Sequence, residues 1–166
     1  MGIELSSLER IMRFTFAELI KRCQSMPNFQ KQLSAYSFHR LVLGTAAMES
    51  NLGLRLYDGS YGTDRFGLFG ITSVAHADVF ECVVSKNKDL EKAFKGMTGA
   101  CCPEKFQMLE YNLAYNFMFA AVAYFGTFPK SGSAQEMFSI WSRGFPTVLE
   151  KNEDVFMERL SEAGII

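Results

Sequence analysis

The chain has 166 residues, 48% of them hydrophobic and 21% charged, with a formal net charge of −1. That length and apolar content suit one domain, residues 1–166, and exclude intrinsic disorder. Near-neutral charge, with basic and acidic residues mixed along the chain, excludes a surface built to neutralise phosphates, so no nucleic-acid partner is expected. Aromatic residues make up 14%, with sixteen Phe against one Trp, which predicts a Phe-rich core. The four cysteines (Cys23, Cys82, Cys101 and Cys102) form no CxxC motif and read as reduced small hydrophobes. The opening segment carries Glu4 and Glu9 and has no apolar run before an A-x-A site, so no secretory signal is expected.

In chain order, a first helix is predicted over 6–23, opened by a Ser6–Glu9 capping box, with Pro27 breaking it. A second is predicted over 34–50, closed by Gly53 as a left-handed cap. Residues 54–72 carry Asp58-Gly59, Gly62, Gly67 and Gly70, the pattern of a small hairpin or glycine-rich loop. Helical spacing resumes after Ser73 and again over 89–97. Residues 103–125 follow as a helix whose stretch 113–128 is almost wholly apolar. A membrane span needs about 20 apolar residues. Asn116 and Gly126 interrupt this one, so a central buried helix is predicted instead. A capping box at Ser133–Glu136 starts a helix ending near Gly144, and a last helix spans 152–164. The fold class expected is α+β, mainly helical, with a small β insert.

The chemistry concentrates in Glu49-Ser50-Asn51-Leu52-Gly53 and in Phe66-Gly67-Leu68-Phe69-Gly70-Ile71-Thr72. Glu49 sits at the end of an apolar helix, on the face of Val42, Thr45 and Ala46. Burial and the negative end of the helix dipole both raise a carboxyl pKa there. A carboxylic acid protonated near neutrality is what protonation of a glycosidic oxygen requires. Glycines at 67 and 70 let backbone approach a ligand closely.

This pattern resembles the goose-type lysozymes and the related lytic transglycosylases. In that family a catalytic Glu-Ser at a helix end precedes an irregular loop and a Gly-Leu-Met-Gln-Ile/Val segment. Here Glu49-Ser50 and Gly67-Leu68-Phe69-Gly70-Ile71 take those places, and Ile140-Trp141-Ser142-Arg143-Gly144 stands where the family has Ala-Tyr-Asn-Ala-Gly. The resemblance spans about residues 38 to 146. It departs at Gly70, where the family has Gln, and at Trp141-Ser142, where it has Tyr-Asn.

The resemblance implies a lysozyme-like fold and cleavage of the bond between N-acetylmuramic acid and N-acetylglucosamine in peptidoglycan, with Glu49 as acid. A hydrolase of this kind uses a second carboxylate, for which Asp64 and Asp58 are the candidates. A transglycosylase uses the one Glu as acid and then base, and forms a 1,6-anhydro sugar. Ser50, Phe69, Gly70, Ile71 and Trp141 are expected to line the glycan groove. With no export signal and no wall-binding module expected, the resemblance points to a bacteriophage endolysin held in the host cytoplasm before release, or to a virion enzyme.

Other readings of the same residues stand beside these. Asp58 heads an Asp-Gly turn, and Trp141 suits a core as well as a sugar groove. His39 and His76 lack metal-ligand spacing, and the glycines lack a phosphate-loop ending, so neither metal nor other cofactor is expected. The competing function is a lysozyme-like scaffold without catalysis, favoured by Gly70 and Trp141-Ser142. A membrane-associated helical protein built on 113–128 is a third.

Overall fold

In a computed structural model, residues 3–53, 57–58, 64–99 and 103–166 are described, excepting the side chains of residues 57, 58, 103 and 104. Among them the helices are α1 (Leu5–Arg22), α2 (Pro27–Ser34), α3 (Tyr36–Ser50), α4 (Ser73–Val79), α5 (Lys88–Thr98), α6 (Met108–Tyr111), α7 (Leu113–Ala123), α8 (Ala134–Gly144) and α9 (Glu153–Glu162). A π-helical turn, Phe80–Val84, continues α4, and a 3-10 turn, Pro103–Gln107, leads into α6. The only strands among the described residues are β1 (Tyr57–Asp58) and β2 (Arg65–Phe66), antiparallel, with Tyr57 opposite Phe66 and Asp58 opposite Arg65. The mainly helical class and the small hairpin agree with the expectation.

Two helices are buried on nearly every side. In α7 every residue from Tyr115 to Val122 is buried, and in α3 every residue from Leu41 to Ser50. A helix apolar all round has no face for water, so others must enclose it. Helices α1, α3, α5 and α6 pack on α7, while α1, α2, α7, α8 and α9 pack on α3. No helix among the described residues is long and apolar enough to cross a membrane.

The helix ends differ from the sequence expectation in instructive ways. The Ser6–Glu9 box does not form: α1 is entered from Glu4 with no side-chain cap, and the Glu9 carboxylate pairs with Arg13 at 2.6 Å instead. Pro27 does more than end α1. It occupies the first turn of α2, where a missing N–H costs no hydrogen bond. The left-handed cap of α3 begins at Asn51 (φ 51°), two residues before Gly53. The segment expected as one helix over 103–125 breaks at Asn112, which turns to extended backbone and caps α7 by accepting from the Tyr115 N–H at 2.9 Å. Ser133 and Asn152 cap α8 and α9 with their side chains. Cys23 is a buried thiol, pushed up to about 11 by burial, and Cys82 is exposed; Cys101 and Cys102 lie outside the described residues.

Asn116 is the polar exception within α7, and it fixes the glycine segment. Its Oδ1 accepts from the Leu68 N–H at 2.7 Å, while its Nδ2 donates to the carbonyls of Leu109 (2.7 Å) and Asn112 (2.9 Å). Gly67 (φ 74°) passes so close that a Cβ would collide with Asn116 Oδ1 and the Leu109 carbonyl. The loop closes where Phe66 and Ile71 exchange backbone hydrogen bonds of 2.9 and 3.0 Å. Removing the Asn116 side chain strands the buried Leu68 N–H and Leu109 carbonyl. Asn116→Ala should therefore lower stability by about 3 kcal/mol, read as a reduced urea midpoint at unchanged m-value.

Candidate active site

The last turn of α3 delivers Glu49 to a place where water scarcely reaches it. The residue is 3% exposed, and two buried donors from other elements meet its carboxylate. Trp141 of α8 donates its indole N–H to Oε1 at 2.8 Å, and Arg65 of β2 donates from Nη2 to Oε2 at 2.8 Å. The same Arg65 nitrogen reaches the Glu49 carbonyl at 2.9 Å, and its Nε reaches the Gly70 carbonyl at 3.3 Å. One guanidinium thus joins the acid, the C-terminal end of α3 and the glycine loop. A cation at a helix C-terminus also complements the partial negative charge there.

Burial is the largest influence on the Glu49 carboxyl and pushes it up to about 7. The Thr147 hydroxyl, the Trp141 indole and the Arg65 guanidinium pull it down, and burial outweighs them. The acid accordingly changes charge near neutrality. Protonated, it has a proton to give; ionised, it has two fixed donors to hold the new charge. Both charge states of the group are therefore within reach near neutral pH.

Gly70 owes its identity to Arg65. Its φ is 54°, and a Cβ there would collide with the guanidinium. The position is therefore cleared for an arginine from the neighbouring strand. Sequence reading missed Arg65, since a lone Arg on a short hairpin looks solvated. The available signal was the second glycine, which implies that another group fills the space.

The other expected site residues fall in different places. Ser50 is buried, and its hydroxyl donates to the Ala46 carbonyl and accepts from the Gly53 N–H, closing the helix end. Phe69 and Ile71, expected to line a groove, are fully buried because the Phe66–Ile71 loop folds inward on α7; Phe69 packs against Phe117 and Phe145. Trp141 is also fully buried, its ring tilted against Phe156 with centroids 5.2 Å apart, and reaches the site through its N–H rather than through a ring face. Asp64 is exposed, one residue before Arg65. Asp58 lies on β1 opposite Arg65, its side chain outside the described residues, as are Gly59 and Gly62 of the expected loop. Beside Glu49 lies a pocket of about 100 Å³ that also takes in Ser50, Asn51, Arg65 and Arg159.

Two measurements test this geometry. Gly70→Ala should destabilise by about 2 kcal/mol through the collision and the left-handed backbone. Placed on an Arg65→Ala background it should cost less, so a double-mutant cycle by urea unfolding should show coupling. The pH dependence follows from Glu49. Its folded value of about 7 lies above the ordinary 4.5, so the folded state retains a proton that the unfolded state loses. Stability contributed by Glu49 should be full below pH 4.5 and fall by about 3 kcal/mol as pH rises to 7. Glu49→Gln should flatten that slope in denaturant titrations.

No family model, no curated protein and no solved structure matches the chain.

Proposed function

We propose that the protein is a peptidoglycan-degrading glycosidase of lysozyme-like fold, cutting between N-acetylmuramic acid and N-acetylglucosamine with Glu49 as general acid and base. The observation that supports this reading best is the state of Glu49: a buried carboxyl held near pKa 7, bordering a pocket, with fixed donors on both oxygens. In this mechanism the neutral acid protonates the glycosidic oxygen as the bond breaks and the sugar gains oxocarbenium character. Arg65 and Trp141 then stabilise the carboxylate without reorganising, because burial and their other contacts hold them in place.

The second step divides the two product classes. In a hydrolase, Glu49 or a hairpin aspartate takes a proton from water, with Asp64 and Asp58 as the aspartates at hand. In a transglycosylase, the substrate N-acetyl group assists and Glu49 takes the proton from the sugar 6-hydroxyl, which closes the 1,6-anhydro ring.

A second reading is a lysozyme-like scaffold without catalysis. It is favoured by the saturation of Glu49, whose two oxygens already accept from Trp141 and Arg65 in a residue only 3% exposed. On that reading the triad is a latch joining α3, α8 and the hairpin.

Mass spectrometry of purified peptidoglycan after incubation decides between them. Wild-type protein should release muropeptides, with 1,6-anhydro ends from a transglycosylase or reducing ends from a hydrolase. Glu49→Gln should lower the rate by at least about 100-fold. The wild-type rate should decline above pH 7 as Glu49 loses its proton. No release from several wall types would leave the scaffold reading.

A further inference from the structure

The pocket beside Glu49 holds a second cation that the acid does not use. Arg159 enters from α9, outside the span of the family resemblance, and is half-buried at the pocket wall. The ion pairs among the described residues are Arg13–Glu9, Lys21–Glu18 and Arg65–Glu49, so its guanidinium has no acidic partner there. Glu162, three residues further along the same helix, is not within ion-pair distance of it. Arg65 also borders the pocket, but its Nε and Nη2 are engaged with Gly70 and Glu49. Met48, Leu149 and Val155 supply apolar lining, Val155 one turn before Arg159 on α9, and Asn51 stands at the end of α3. A half-buried guanidinium with free donors is a bidentate receptor for a carboxylate. The pocket, about 100 Å³, is partly open to solvent, so a small charged group can enter it from outside.

We propose that this pocket binds a carboxylate borne on a short alkyl group, with Arg159 as its cationic partner, Asn51 as a second donor and the alkyl part against Met48, Leu149 and Val155. Resting on the glycosidase reading, the carboxylate belongs to the muramyl side of the substrate: the lactyl ether, or the peptide attached to it. Either source makes Arg159 a specificity residue that separates N-acetylmuramic acid from N-acetylglucosamine. On muramic acid without a peptide the lactyl group carries both a methyl and a carboxylate; where the peptide is attached that carboxyl is an amide, and the charge sits on the peptide instead.

Binding is testable apart from cleavage. Calorimetry would follow titration of N-acetylmuramic acid, muramyl dipeptide and N-acetylglucosamine into wild type and Arg159→Gln. The indole N–H resonance of Trp141, the single tryptophan, reports the site directly because it is bonded to Glu49. N-acetylmuramic acid should bind wild type saturably and Arg159→Gln at least about tenfold more weakly, while N-acetylglucosamine binds weakly to both. Muramyl dipeptide distinguishes the sources, since its lactyl carboxylate is consumed in an amide and its charge sits on the peptide. Preferential binding of the dipeptide, sensitive to Arg159, assigns the peptide carboxylate. Binding unaffected by Arg159→Gln, equal binding of the two sugars, or none of the anionic ligands binding overturns the proposal. Peptidoglycan cleavage by the same preparations reports on Glu49 separately. Arg159-dependent binding without cleavage upholds the pocket and overturns the enzyme, and cleavage with Arg159-independent binding does the reverse.

Discussion

The buried contact between Arg65 and Glu49 is the constraint around which this protein is arranged. Removing two charges from water is costly, and a buried pair is tolerated only when its remaining hydrogen-bonding groups are also satisfied. Here the guanidinium meets a carboxylate oxygen and two backbone carbonyls, and the second carboxylate oxygen meets the Trp141 indole. Each partner comes from a different part of the chain. The hairpin, the glycine loop, α3 and α8 must all be in register before the charges are compensated.

That requirement gives several odd residues a shared purpose. Asn116 places an amide in an otherwise apolar helix, and what it secures is the loop between Arg65 and Ile71. Gly67 permits the loop to press against Asn116, and Gly70 leaves the space that Arg65 fills. Trp141 spends the largest side chain of the core to bring one N–H to an oxygen. The consequence for the acid is a balance. Burial drives its pKa upward, the donors restrain it, and the result near 7 keeps both charge states accessible at neutral pH. The same donors that would steady a product carboxylate also make the triad a competent structural latch.

Parts of this arrangement are legible in the residues themselves. The spacing of Leu41, Val42, Thr45 and Ala46 before Glu49 already implies a carboxyl carried into an apolar face, and it is buried. The almost wholly apolar run after Leu113 implies an enclosed helix, and α7 is one. Other features mislead for local reasons. Ser6 and Glu9 have capping-box spacing, but α1 is entered from Glu4 and Glu9 pairs with Arg13 instead. Pro27 reads as a stop, yet a proline stops one helix and starts another with equal ease. The family resemblance implies ligand contact for Phe69 and Ile71, whereas the loop turns them into the core.

The sequence by itself determined the helical class, the burial of α3 and α7, and the presence of an acid at a buried helix end. Those properties follow from the periodicity of apolar residues, and periodicity is local. Only the tertiary structure decided which groups meet that acid. Arg65 lies 16 positions from Glu49 and Trp141 lies 92, and nothing in either neighbourhood specifies the other. Arg159 reaches the same pocket from the last helix for a similar reason. A carboxylate's partners are set by how helices and loops close over it, so its electrostatics become readable only once the chain has folded.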